Sequence, residues 1–346
     1  MEPKEFLEKL LRKEELSREE SASLFRKIME GKLTPAQTAA VLIALRCKGE
    51  SVNEIAGAAS VMREKSLKVP LPEELKEKVI DTCGTGGDLK GTFNVSTTTA
   101  LVVAACGVPV AKHGNRSVSS KCGSADLLES FGVVIDLPPE KVAKCIEELN
   151  FGFMFAPRFH PAMAQVAGVR RELKVRTIFN LLGPLTNPAG AKRQLLGVFA
   201  EELTEKIASV LKELGSERAF VVHGTDGTDE ITVCAPTKVT ELKDGEIKSY
   251  LIRPEDFGVE TAPFSAIKGG ESLEENRRIV QRILTGEEEG PKSDAVALNA
   301  AFALTAAQKV ESPREGFEVA KETLKSGKAY ELLCKLVKLT TELAKE

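Results

Sequence analysis

Apolar residues recur at helical spacing over the first seventy positions. Phe6, Leu7, Leu10 and Leu11 form one stripe, and residues 36–46 repeat the pattern. Ser17 with Glu20, and Ser51 with Glu54, have the offset of capping boxes. In these the hydroxyl and the carboxylate each satisfy a backbone N–H that a helix start leaves open. Short amphipathic helices are therefore predicted. Residues 68–72 (KVPLP) break the rhythm, because two prolines favour extended backbone, and they read as a linker that closes a first unit at residue 72.

From Val79 the pattern changes to strands alternating with helices. A short strand runs into a glycine cluster and is followed by a helix over residues 96–106. Next come a strand over 108–111, a polar loop, a helix over 124–131, a strand over 133–136, a helix over 140–149 and an apolar stretch over 151–156. After Pro157 a long loop-and-helix insertion intervenes. The rhythm resumes with a strand over 195–199, a helix over 202–214 and a strand over 219–222, and residues 240–252 alternate around Asp244-Gly245 as an antiparallel hairpin. From Ser272 onward the chain reads as mostly helix. The expectation is an α/β protein: a small N-terminal helical domain (1–72, completed by part of the 160–190 insertion) and a larger α/β domain (73–346) with a central, mainly parallel sheet.

Composition narrows the function classes. The 346 residues carry 48 basic and 51 acidic side chains, a net charge of −3, which argues against a surface built to coat nucleic acid. The N-terminus has no apolar segment of signal-peptide type, and the apolar runs are too short or interrupted to span a bilayer, so the expected location is the cytoplasm. Seven cysteines without a CxxC pair, and three isolated histidines, argue against a disulfide framework or a zinc site.

Three segments concentrate chemistry. Asp81-Thr82-Cys83-Gly84-Thr85-Gly86-Gly87-Asp88, followed by Thr92, Asn94, Val95, Ser96 and Thr97, is a glycine-rich turn between a strand and a helix start. Such a turn exposes backbone N–H groups to an anion. Ser96 and Thr97 either cap the helix or bind phosphate. The spacing matches neither the dinucleotide fingerprint nor the Walker loop. Lys112-His113-Gly114-Asn115-Arg116-Ser117-Val118-Ser119-Ser120-Lys121 follows a strand and places three cations among hydroxyls, a local anion site ahead of the helix opened by Ser124. Gly224 to Glu230 ends in adjacent carboxylates, Asp229 and Glu230, which can face one hard cation; Asp226 either joins them or shapes the turn. With two anion loops opposite, Mg²⁺ carried by substrate phosphates is the reading. His223 reads as a structural hydrogen-bonding residue. In the insertion, Arg170, Arg171 and Arg176 either meet the carboxylate of a second substrate or form helix-surface salt bridges.

Taken in order, DTCGTGGD with NVST, KHGNRSVSSKCGSADLLE, HPAM with VRRELKVRTIFNLLGPLTNP, and HGTDGTDE resemble the anthranilate phosphoribosyltransferase family over nearly the whole chain. Cys122 departs from the serine expected in many members. The resemblance implies a fold like the nucleoside phosphorylases and a homodimer paired through the helical domain. It also implies transfer of phosphoribose from 5-phosphoribosyl 1-diphosphate to anthranilate with Mg²⁺, in tryptophan biosynthesis. Carried over by motif, Gly84, Gly87, Asp88, Thr92, Asn94, Val95, Ser96, Thr97, residues 112–120 and Ser124 would contact the diphosphate substrate. Ser96, Asp229 and Glu230 would handle Mg²⁺, and Gly84, Asn115 and Arg170 would contact anthranilate. No residue is assigned as general base. The alternatives are a pyrimidine nucleoside phosphorylase, against which the KHGN motif speaks, and a non-catalytic nucleic-acid binder, against which the retained Asp229-Glu230 pair speaks.

Overall fold

The computed structural model describes residues 1–86, 90–116 and 122–346. Four helices, Pro3–Leu11, Arg18–Met29, Pro35–Lys48 and Val52–Lys65, open the chain. Both capping boxes form, at Ser17/Glu20 and Ser51/Glu54, and a third forms at Thr34/Gln37 ahead of Pro35. Glu54 is wholly buried, and its carboxylate accepts from Leu16 N at 3.0 Å, Ser51 N at 2.8 Å and Lys48 Nζ at 2.9 Å. A buried charge met on several sides ties helices Pro35–Lys48 and Val52–Lys65 to the segment ahead of Arg18–Met29, where an unpaired one would be costly.

Seven strands form one sheet: β1 (Ile80–Gly84), β2 (Val110–Gly114), β3 (Phe151–Phe155), β4 (Arg193–Gly197), β5 (Arg218–Gly224), β6 (Thr237–Lys243) and β7 (Glu246–Ile252). The order is β3-β2-β1-β4-β5-β6-β7. The first five run parallel, and β6 and β7 return as an antiparallel hairpin turning at Asp244-Gly245. Side-chain alternation along the strands separates two cores. Leu195, Phe220 and Val222 face a core with helices Val95–Ala105 and Pro291–Ala306. Leu196, Ala219 and Val221 face the opposite core, shared with helix Leu203–Glu213 and the N-terminal helices. Helices Ala164–Leu173 and Ile178–Leu182 of the insertion join that second core through Val166, Val169, Ile178 and Phe179.

One expected strand is absent among the described residues. Residues 133–136 are extended but lie outside the sheet. Val133, Ile135 and Leu137 are buried in alternation, which accounts for the strand-like pattern. In place of a ladder, Val133 N donates to Leu128 O at 3.1 Å and Val134 N to Thr340 Oγ1 of helix Lys328–Leu343 at 3.2 Å.

Candidate active site

Parallel strands bring their C-terminal ends to one edge, and in open α/β sheets that edge holds the ligand. Here β1, β2 and the start of helix Val95–Ala105 are locked together by polar side chains. Lys112 Nζ, on β2, donates to Thr82 O at 2.6 Å and to Ser96 Oγ at 2.9 Å. Ser96 Oγ donates to the same Thr82 carbonyl at 3.2 Å, and Thr82 Oγ1 donates back to Ser96 O at 3.1 Å. Lys112 is 2% exposed and lies beneath the loop that follows β2. Burial lowers the pKa of its ammonium from the usual value, opposed chiefly by Asp81 and also by Glu230. Because Ser96 gives its proton to Thr82 and accepts one bond from Lys112, a hydroxyl lone pair remains for a further partner.

The acidic turn reaches this edge from β5. Asp226 shapes the turn: its Oδ1 accepts from Thr228 N at 3.1 Å and Thr228 Oγ1 at 2.7 Å, and its Oδ2 accepts from Thr232 Oγ1 at 2.7 Å. Asp229 points at the first glycine loop, where its Oδ2 accepts from Gly86 N at 2.9 Å. Two glycines make this approach possible. A Cβ on Gly84 would lie 2.7 Å from Asp229 Oδ2, and one on Gly197 would lie 1.6 Å from Asp229 O. Among the described residues no three His, Cys, Asp or Glu side chains cluster as a self-sufficient metal site. Two adjacent carboxylates with a serine hydroxyl suit Mg²⁺, a hard ion that is commonly held by one or two carboxylates and completes its shell with phosphate oxygens and water.

The second loop begins at the end of β2. His113 Nδ1 faces Gly183 O at 3.3 Å, and Ser124 Oγ donates to Asn115 O at 3.2 Å. Gly114 leaves room for Ser124, whose Oγ a Cβ there would meet at 2.3 Å. Arg116 is exposed and its fork is engaged by its own chain, with Glu129 at 2.7 and 3.0 Å and Asp126 at 2.9 Å, which raises its pKa further above the usual value. The two loops are tied where Asn94 Nδ2 donates to Cys122 O at 2.9 Å. Val95 and Thr97 are buried in the first turn of their helix, and Thr92 is partly exposed beside it. Gly87, Asp88, Ser117, Val118, Ser119 and Ser120 lie outside the described residues.

Arg170 sits on helix Ala164–Leu173 with its guanidinium 5.5 Å from the centre of the Phe179 ring. Among the described residues it has no carboxylate partner, and partial burial lowers its pKa from the usual value. His223 is buried with Nδ1 2.7 Å from Val198 O, a structural contact. Residue patterns pointed less clearly to three other features. Asp81, fully buried, accepts from Asn187 Nδ2 at 2.8 Å beneath the first loop. His160 packs against His113 at a tilt of 55° with ring centres 4.9 Å apart, and among the described residues Nε2 of each ring has no partner. Gly197 carries no motif of its own. His160 stands in the HPAM segment, but without a charged neighbour nothing in the pattern connected it to His113.

The assembly is that of a glycosyl transferase. Residues 4–66 match the helical bundle domain of the glycosyl transferase family, and residues 76–330 match its a/b domain. Anthranilate phosphoribosyltransferases of Persephonella marina and Aquifex aeolicus are 55% and 49% identical, over 96% and 98% of this chain and 97% and 99% of theirs. The crystal structure of the Thermus thermophilus enzyme is 48% identical with a TM-score of 0.91, covering 97% of this chain and 99% of its own. The Saccharomyces cerevisiae enzyme in complex with PRPP and Mg is 28% identical with a TM-score of 0.88, covering 98% of each chain. The chain belongs to the anthranilate phosphoribosyltransferase family.

Proposed function

We infer that this chain transfers the phosphoribosyl group of 5-phosphoribosyl 1-diphosphate to the amino group of anthranilate, releasing pyrophosphate. The observation that carries the reading is the convergence of Asp229, the Gly84–Gly86 loop and the Lys112–Ser96–Thr82 lock at one sheet edge. The glycine loop and helix start offer N–H groups to phosphate, with Lys112 supplying positive charge from below. Thr92, Asn94, Ser96 and the 112–120 loop with Ser124 would hold the diphosphate substrate. Arg116 would exchange its carboxylate partners for phosphate. Ser96, Asp229 and Glu230 would hold Mg²⁺, which when bound neutralises charge on the departing pyrophosphate.

The reaction replaces the C1–oxygen bond of the ribose with a C1–nitrogen bond. The aromatic amine already carries a lone pair, so alignment contributes more than deprotonation. His113, with its pKa pushed down to about 3 by burial, is too weak a base to accept the amine proton and suits a hydrogen-bonding role. Arg170, without an internal carboxylate, would orient the anthranilate carboxylate, and Gly84 and Asn115 would line the same substrate. Pairing through the helical domain as a homodimer, without nucleic acid, and a cytoplasmic location complete the proposal. No helix among the described residues is long and apolar enough to cross a membrane.

The test is anthranilate fluorescence in the presence of 5-phosphoribosyl 1-diphosphate, with and without Mg²⁺. Metal-dependent loss with equimolar pyrophosphate is expected. Folded protein that binds the diphosphate but leaves the fluorescence unchanged would remove anthranilate as acceptor. Phosphate-dependent cleavage of thymidine or uridine would favour the phosphorylase alternative.

A further inference from the structure

Beyond the phosphate loops, a second glycine segment touches the site from a distant part of the chain. Lys268 forms an isolated antiparallel bridge with Thr92, and Gly269 N donates to Gly91 O at 2.9 Å. This backbone pairing lies just ahead of helix Val95–Ala105, which is also tied through Asn94 to Cys122 and through Ser96 to Thr82 and Lys112. The Lys268–Gly270 turn is itself held by one side chain. Asn276, on helix Leu273–Leu284, is 3% exposed. Its Oδ1 accepts from Gly270 N at 3.1 Å, and its Nδ2 donates to Gly270 O at 3.1 Å and Ser272 O at 2.8 Å.

The amide is thus spent on the backbone of a single turn. Both of its ends are used, so it fixes the turn's orientation as well as its depth. The space around Gly269 is closed on two sides: a Cβ there would lie 3.0 Å from Asn276 Oδ1, 3.0 Å from Thr92 O and 3.2 Å from Phe93 N. A shift of the turn is therefore passed directly to Thr92, with no side chain between them to absorb it.

We propose that Asn276 is a positioning residue for the reaction, fixing the Lys268–Gly270 turn so that Gly91 and Thr92 hold their place in the diphosphate site. The proposal rests on the reading of Thr92 as a phosphate contact. Its energetic logic is that of a preorganised site, in which small displacements of a binding loop weaken the substrate that the loop grips and leave the other substrate alone.

The experiment compares three variants with the wild-type enzyme, varying each substrate in turn and measuring diphosphate binding by calorimetry. Asn276→Ala removes the clamp. Gly269→Ala leaves the Asn276 amide in the chain but crowds both its Oδ1 and Thr92 O, displacing the turn from between them. Val280→Ala, fully buried on the same helix, controls for loss of packing alone. Asn276→Ala and Gly269→Ala are expected to weaken the diphosphate substrate by about tenfold or more, in KM and in calorimetric Kd. The anthranilate KM should stay within about twofold of wild type. Val280→Ala should lower the melting temperature and leave both substrates unchanged. If Asn276→Ala does not fold, Gly269→Ala carries the test. Wild-type diphosphate affinity in the two turn variants, or equal weakening by Val280→Ala, overturns the proposal while the parent activity stands. A wild-type enzyme without metal-dependent transfer overturns the functional reading, and this inference with it.

Discussion

Asn187 Nδ2 donates to Asp81 Oδ2 at 2.8 Å and also to Ala111 O at 2.8 Å, joining the end of the insertion to β1 and β2 beneath the phosphate loops. Asp81 is fully buried, and burial raises its pKa from the usual value, opposed first by Lys112 and then by Asn187. Asn187→Ala leaves a buried carboxylate oxygen without its donor and is expected to cost about 3 kcal/mol. Urea denaturation measures this. The double variant with Asp81→Asn should lose less than the sum of the two single changes, because each breaks the same contact. Strict additivity would show that the pair contributes no coupling.

Gly197 permits the acidic turn to touch the sheet. With a methyl group 1.6 Å from Asp229 O, Gly197→Ala forces the turn away from the Gly84–Gly86 loop. Turnover is expected to fall by about a hundredfold or more, since displacement of a catalytic group by an ångström has that scale. The Mg²⁺ concentration giving half-maximal rate should rise with it. Asp229→Ala should shift the same curve. A Gly197→Ala enzyme with the wild-type metal dependence would detach Asp229 from the metal.

What was legible in the sequence was mostly local. The capping hydroxyls and their carboxylates lie three residues apart, so the spacing alone identifies Ser17/Glu20 and Ser51/Glu54. The glycine loop and the acidic turn are likewise contiguous in sequence. Residues 133–136 carry a strand's alternation, but it is satisfied by Thr340 and the C-terminal helix, more than two hundred positions away. The KHGN pattern shows Lys112 as a cation near an anion site but not its burial, which depends on Thr82 O and Ser96 Oγ, one of them on another strand and the other on a helix start. Asn276 is a polar residue on an amphipathic helix, and only the packing of its turn against Thr92 brings it to notice.

Arg170 presents a partly buried guanidinium against Phe179 and, among the described residues, has no carboxylate to neutralise it. A substrate carboxylate would supply a charge-assisted hydrogen bond of about 1.5–3 kcal/mol. Arg170→Ala is therefore expected to raise the anthranilate KM by about ten- to a hundredfold, with the diphosphate KM nearly unchanged. Arg170→Lys should recover only part of the loss, because a point charge does not reproduce the planar fork. Equal weakening of both substrates would place Arg170 outside the acceptor site.

The paired histidines make stability depend on pH. Burial pushes His113 down to about 3, with His160 adding to the shift, and burial pushes His160 down to about 4, helped by Lys68. In the unfolded chain both take up protons near the ordinary value of 6.5. Between that value and their folded values the unfolded state binds more protons, so stability falls as pH falls. The slope from the pair fades over roughly the first pH unit above 6.5, where the unfolded rings lose their protons too. The cleanest window is about pH 6.5 to 5, above the range where most carboxylates titrate. There the wild-type slope should exceed that of His160→Asn by about one proton, since the variant keeps a polar group of similar reach but no titrating ring. Urea unfolding at half-unit steps of pH measures both slopes. Equal slopes in the two proteins would mean that His160 is already free to protonate in the folded state, and the buried pair would then be no barrier to acid.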